Sequence, residues 1–158
     1  MRIGVLSDTH LNQVNETLEK IYEKYLADAD MILHAGDFVS EEIVEYLCRG
    51  NFHGVQGNMD TIGVRELLPV KKVINAGFYR LGLIHGWGGH DGLEDKIMNE
   101  FPDADIIVYG HSHTSTSHFK NGIFFFNPGT AVGYHRMGIN SIGILDISDN
   151  IQGKIIEV

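Results

Sequence analysis

The stretch Asp105-Ile106-Ile107-Val108-Tyr109-Gly110-His111-Ser112-His113 reads as a buried β-strand that runs out into glycine and then into a His-x-His pair. Extended backbone puts side chains two positions apart on one face, with Cα atoms roughly 7 Å apart. The two imidazoles are therefore expected side by side, near enough to serve two metal ions roughly 3.5–4 Å apart. Gly110 leaves room for neighbouring backbone to close on such a cluster. Alone, the pair is equally consistent with two surface histidines. Four other apolar runs decide the matter, because they finish in the same manner.

Upstream, the run Arg2–Leu6 breaks at Ser7-Asp8-Thr9-His10, Met31–Leu33 ends in His34-Ala35-Gly36-Asp37, and Phe52–Gln56 gives way to Gly57-Asn58-Met59-Asp60. Between the first two, Leu18, Ile21, Tyr22, Tyr25 and Leu26 keep the spacing of an amphipathic helix, with Asn15 as its N-cap. A second helix is expected from Ser40, with Glu41 and Glu42 in the turn where the helix dipole favours negative charge. It buries Ile43, Val44 and Leu47, and Cys48 is expected on the same apolar side. The order β-α-β-α-β predicts a parallel sheet with right-handed crossovers.

Later, Val70–Ile74 and Phe78–Ile84 read as a hairpin whose second strand ends in His85-Gly86. Asp91 and Glu94 open a third predicted helix through Leu93, Ile97 and Phe101, stopped by Pro102. Asn121-Gly122 is a two-residue hairpin signal, and Ser141–Ile147 with Ile151–Val158 form a last hairpin. Thr61–Pro69 and Gly129–Asn140 read as loops that would set specificity. No repeat, low-complexity tract or linker divides the chain, so residues 1–158 are expected to form one domain.

A net charge of −9 without a Lys/Arg cluster argues against a nucleic-acid groove. One cysteine excludes an internal disulfide and a cysteine-rich zinc knuckle. The chain runs from Met1 straight into a strand, and no apolar run approaches the length of a membrane span, so a cytoplasmic location is expected.

The strand ends together supply Asp8, His10, Asp37, Asn58, His85, His111 and His113. In open α/β sheets ligands bind beyond the carboxyl ends of the strands. Seven N/O donors without a thiolate fit two divalent ions of Mn, Fe, Zn, Ni or Co, whereas four imidazoles count against Mg or Ca. Two divalent ions set against two carboxylates and one bridging hydroxide leave about one positive charge. That suits a monoanionic phosphodiester, with both attacking and leaving oxygens stabilised by the ion pair. Taken singly, each residue has a structural explanation: Asp8 a strand-end cap, Asp37 a turn, Asn58 a positive φ after Gly57, His85 a satisfied core histidine.

At these residues the sequence resembles the calcineurin-like metallophosphoesterase superfamily, whose blocks D-x-H, G-D, G-N-x-[DE], H and G-H-x-H match residues 8 to 113 in order. Phe126-Asn127-Pro128-Gly129-Thr130 and Gly143-Ile144-Leu145-Asp146 resemble its small single-domain phosphodiesterase branch. The resemblance implies an α/β fold, a four-layer α/β/β/α sandwich with two mixed β-sheets. It implies one metal on Asp8, His10, Asp37 and His113, and a second on Asp37, Asn58, His85 and His111. Manganese is the expected ion. Hydrolysis of a small phosphodiester, by a hydroxide held between the ions, is the expected reaction.

One position departs from the pattern. Many superfamily members carry His after Gly-Asn as the leaving-group acid, whereas this chain has Met59. Losing such an acid forfeits a contribution of roughly 10²–10⁴ in rate, which implies slow turnover and leaving groups of low pKa. Asp60, His34 and His90 are expected to support the ligands from behind, and Arg136 and Arg65 to contact phosphate. His118 is expected at the surface. Relatives that include a retromer subunit act through protein contacts and have lost ligands, so a metal-binding scaffold is the alternative. A homo-oligomer is compatible with either.

Overall fold

Each apolar run becomes a strand, and the strands divide between two sheets in the computed structural model, which describes residues 1–132 and 139–158. In chain order the elements are β1 (Arg2–Leu6), α1 (Glu16–Ile21), β2 (Met31–His34), α2 (Glu41–Leu47), β3 (Phe52–Gly54), α3 (Ile62–Leu67), β4 (Lys71–Ala76) and β5 (Tyr79–Ile84). There follow α4 (Leu93–Met98), β6 (Ile106–Val108), β7 (Thr116–Lys120), β8 (Ile123–Asn127), β9 (Ser141–Ile147) and β10 (Ile151–Glu157). The first sheet has the order β10-β9-β1-β2-β3 and the second β4-β5-β6-β8-β7. In the first, β1, β2 and β3 are parallel, as the β-α-β-α-β order requires, and β9 joins β1 antiparallel. The second sheet is less antiparallel than its hairpins suggest, since β6 runs parallel to both β5 and β8. The unit β5-α4-β6 is a further crossover embedded between hairpins.

Three apolar clusters separate the layers. Ile3, Val5, Leu33, Leu81, Val108 and Phe126 meet between the two sheets. Leu6, Ile32 and Ile142 of the first sheet pack on Leu18, Ile43, Leu47 and Val64 of α1, α2 and α3. Ile84, Ile107 and Phe125 of the second pack on Leu93 and Ile97 of α4. The result is the four-layer α/β/β/α arrangement with two mixed sheets. The helices are six or seven residues long and would not persist alone. Burying each Leu or Ile, worth about 1.5–3 kcal/mol, holds them in place.

Several local expectations are corrected. Asn15 does cap α1, accepting from the Leu18 amide at 2.9 Å, but the helix loosens into a π-turn over Tyr22–Leu26. Ser40 precedes α2 without a capping side-chain bond, and α4 starts after a left-handed Gly92 rather than on an Asp91 cap. Cys48 is exposed beyond the last turn of α2, not in the core. The segment expected to be a loop after Asp60 contains α3, capped by the Thr61 hydroxyl on the Val64 amide at 3.3 Å. Asn121 and Gly122 both have positive φ, the conformation of a two-residue primed turn. Among the described residues no helix is long and apolar enough to cross a membrane.

Candidate metal centre

All seven sequence-predicted donors converge where the two sheets' strand ends meet. Asp8 and His10 follow β1, Asp37 follows β2 and Asn58 follows β3. From the second sheet come His85, after β5, and His111 and His113, after β6. Backbone bonds join these ends: the Asp8 amide donates to the Gly36 carbonyl at 3.0 Å, and the Gly110 amide to the His85 carbonyl at 3.1 Å. Gly110 is needed at the join, because a Cβ there would run into Asp8 Oδ2 at 2.8 Å and the Ala35 carbonyl at 2.9 Å.

The His-x-His pair is not extended. His111 has φ 65° and His113 φ 57°, and Asp8, His10 and Asp37 are also left-handed. Non-glycine residues in this region cost about 1–2 kcal/mol each, and such strain gathers where the surrounding structure enforces it at functional sites. Its effect is to send neighbouring side chains apart. His113 turns to Asp8, and His111 to Asn58.

The first donor group is Asp8, His10 and His113. Asp8 is fully buried. Its Oδ2 accepts from the Ser7 hydroxyl, and from the His111 amide at 3.2 Å. Its Oδ1 is buried without a hydrogen-bond partner among the described residues, yet His113 Nε2 stands 3.1 Å away and His10 Nε2 3.7 Å. The two nitrogens are 3.4 Å apart. Donors about 2.0–2.1 Å from a shared ion are separated by about 3.0–3.4 Å. The triangle has the dimensions of a coordination shell.

The second group is Asn58, His85 and His111. His85 Nδ1 donates to the Ala35 carbonyl at 2.7 Å, and His111 Nε2 to the Gly88 carbonyl at 2.8 Å. His85 Nε2 and His111 Nδ1 then face Asn58 Oδ1, at 3.1 and 3.0 Å. Two imidazole nitrogens and an amide oxygen gathered this closely suit a divalent cation. Asp37 stands between the groups, its Oδ2 3.4 Å from His85 Nε2 and 3.8 Å from His10 Nε2. Its Oδ1 accepts from the Met59 amide at 2.7 Å. Asp8, Asp37 and His85 form the buried floor, and His10, Asn58, His111 and His113 the open rim.

Electrostatics repeat this demand for positive charge. Burial acts to raise Asp8, but His10 and His113 hold it well below the usual carboxylate range. Burial also acts to raise Asp37, and His85 reverses it, so this carboxylate is lowered. Burial acts to lower His85, and Asp37 and Asp8 reverse it, so this histidine is raised. The donor set fits divalent ions of the N/O-preferring kind.

The supporting residues divide. Asp60 is buried and acts on backbone rather than on a histidine, accepting from the amides of Gly57 (2.7 Å), Val39 (2.7 Å) and Asp37 (3.2 Å). His34 is fully buried beneath the site, stacked on Phe38 at 3.6 Å. Burial lowers it to about 3, so it is neutral. Its Nδ1 accepts from the Gly36 amide, and its Nε2 lies 3.2 Å from the Thr9 hydroxyl. His90 is exposed, its ring 5.8 Å from that of His111. Arg65, on α3, donates to the Asn58 carbonyl at 2.8 Å. Arg136 lies outside the described residues. Met59 is 58% exposed on the site's wall. Asn127 was not expected to matter. It is buried at the end of β8 and donates to the Gly110 carbonyl (2.9 Å) and the Ser112 hydroxyl (3.0 Å), holding the His-x-His turn. Its signal was available, since Phe124-Phe125-Phe126-Asn127 is a sixth apolar run ending in a polar residue.

Known proteins resemble this chain in sequence and in fold. Residues 1–150 match the calcineurin-like phosphoesterase superfamily domain. A probable metallophosphoesterase of Methanocaldococcus jannaschii is 30% identical, over all of this chain and 82% of its own. Among solved structures, an archaeal phosphodiesterase superposes with a TM-score of 0.83 at 24% identity, covering all of both chains. Vps29 of Chaetomium thermophilum does so with 0.78 at 19%, covering all of this chain and 97% of its own. The last two likenesses are of fold. With the matched domain spanning nearly its whole length, the chain belongs to the calcineurin-like phosphoesterase superfamily.

Proposed function

We propose that the chain is a single-domain, two-metal phosphodiesterase acting on small phosphodiesters. In this reading Asp8, His10, Asp37 and His113 hold one ion, and Asp37, Asn58, His85 and His111 the other, with Asp37 shared. The observation that carries it is Asp37 Oδ2, placed between a histidine of each group. Manganese is the proposed ion, within a donor set that also takes Ni, Fe, Zn or Co. Once bound, the ions supply Lewis-acid polarisation of the phosphoryl group and a nucleophile from water near neutral pH.

The chain's own residues supply placement. Asp8 and Asp37, kept ionised at the floor, set the charge that the ions must balance. Asp60 fixes the Asp37 backbone, Ser7 the Asp8 carboxylate, and Asn127 the turn that aims His111 and His113. The open rim leaves room for a diester. Met59 brings no proton to the leaving group, so rate is expected to fall as leaving-group pKa rises. Metal-reconstituted protein should hydrolyse bis(p-nitrophenyl) phosphate faster than p-nitrophenyl phosphate. Absence of turnover with Mn, Ni, Co and Zn alike would overturn the assignment. The likeness in fold to Vps29 supports a second reading, a scaffold. Such a protein would keep its partner after Asp37→Ala, whereas the enzyme would lose its activity.

A further inference from the structure

Two grooves flank the donor cluster, and they differ in chemistry. One, bounded by His90, Tyr109, Glu94, Asp95 and Lys120, contains carboxylates and none of the seven donors. Its Glu94 is already engaged by the Tyr109 hydroxyl at 2.8 Å and by His118 at 3.2 Å. The other, about 390 Å³, includes the donors Asn58 and His85 in its wall and continues over Gly86, Trp87, Val70 and Arg65, with no carboxylate among the described residues. Trp87 is 45% and Val70 63% exposed. An indole left in water beside a charged centre loses the burial that normally holds it. The surrounding backbone keeps it there. Gly86 and Gly88 on either side both have positive φ, and the Gly88 carbonyl accepts from the ligand-group residue His111. Arg65 spends one N–H on the Asn58 carbonyl, leaving cationic surface in the groove of a chain whose net charge is −9.

We propose that this groove is the subsite for a planar aromatic substituent of the diester, a nucleobase in chemical class, stacked on Trp87 while Arg65 offsets the phosphate's negative charge. The inference rests on the phosphodiesterase reading for its reaction, but not for its binding surface. Base–aromatic stacking is worth about 1–3 kcal/mol by alanine substitution. In the other groove Lys120 is spent on Asp95 at 2.7 Å and on Glu94 at 3.7 Å, so its charge is less available to a phosphate than that of Arg65.

Trp87 is the only tryptophan in the chain, so its fluorescence reports occupancy without turnover. Zinc-loaded protein should show saturable quenching with thymidine 5′-phosphate and none with inorganic phosphate. Trp87→Ala should lower, by about tenfold, the ratio of kcat/KM for thymidine 5′-(p-nitrophenyl) phosphate over methyl p-nitrophenyl phosphate. The leaving group is the same in both. Trp87→Phe, which keeps a stacking ring, should retain most of that ratio and so exclude a folding defect. Quenching that inorganic phosphate reproduces, or that follows protein rather than ligand concentration, overturns the subsite, the latter assigning the face to a second copy of the chain. An unchanged ratio in Trp87→Ala overturns it too. Quenching by the nucleotide without hydrolysis of either ester would uphold the subsite and remove the phosphodiesterase function. Hydrolysis of both esters without quenching would do the reverse.

Discussion

The two donor groups answer one electrostatic demand with different materials. Asp8, His10 and His113 set two imidazoles over a buried carboxylate whose Oδ1 has no hydrogen bond among the described residues. Asn58, His85 and His111 set two imidazoles around an exposed neutral amide, with each ring anchored by a backbone carbonyl. The first group contributes charge, and the second contributes orientation. Asp37 adds its charge between them. In the proposed two-ion reading the contrast makes the sites unequal: an ion over Asp8 would be held by a full carboxylate in a poorly solvated place, where Coulomb attraction is strongest. An ion over Asn58 would depend more on Asp37.

The largest effect is expected from the residue common to both. Asp37→Ala should lower activity more than about a hundredfold, beyond what loss of a mere supporting partner costs, and remove both ions by elemental analysis. An intact complement of metal would refute the sharing. Next, Asp8→Asn and Asn58→Ala should separate the groups. The first should weaken the tighter ion, and the second should leave the tighter ion in place while the weaker one is lost at a chelator concentration that wild type withstands. Equal losses would erase the distinction between charge and orientation.

Asp60 sets the stage for both groups from behind. Asp60→Ala strands three amides that it now satisfies, and a buried unsatisfied group costs about 1–3 kcal/mol. Denaturant unfolding of the metal-free variant should show a loss of at least that size; no change would mean that water replaces the carboxylate freely. The smallest effect concerns strain. At His113, φ 57° favours glycine, so metal-free His113→Gly should be more stable than His113→Ala by about 1 kcal/mol. A reversed order would show that the left-handed turn carries no such penalty.

How far these features were legible in the sequence follows from where the information lies. Buried strands announce themselves as continuous apolar runs, and the residue ending each run is forced to the sheet's edge. Asp8, Asp37 and His85 could thus be placed without coordinates. The helix α3 could not, because only Val64 among its residues is buried while Ile62 and Leu67 are 77% and 58% exposed. No apolar stripe marks it. Left-handed backbone at five of the seven donors was hidden as well. Tertiary bonds impose it, such as Asp8 Oδ2 accepting from the His111 amide, 103 positions along the chain. Asp60 could be singled out by its position, but its partners are backbone amides up to 23 residues away, which no side-chain pattern records.

Metal stoichiometry tests the central claim most directly. Protein stripped of metal and titrated calorimetrically with manganese, with elemental analysis of the saturated product, should take up two ions per chain in two resolved steps of different affinity. Saturation at one ion or fewer per chain would contradict a shared Asp37 between two sites and, with it, the proposed chemistry.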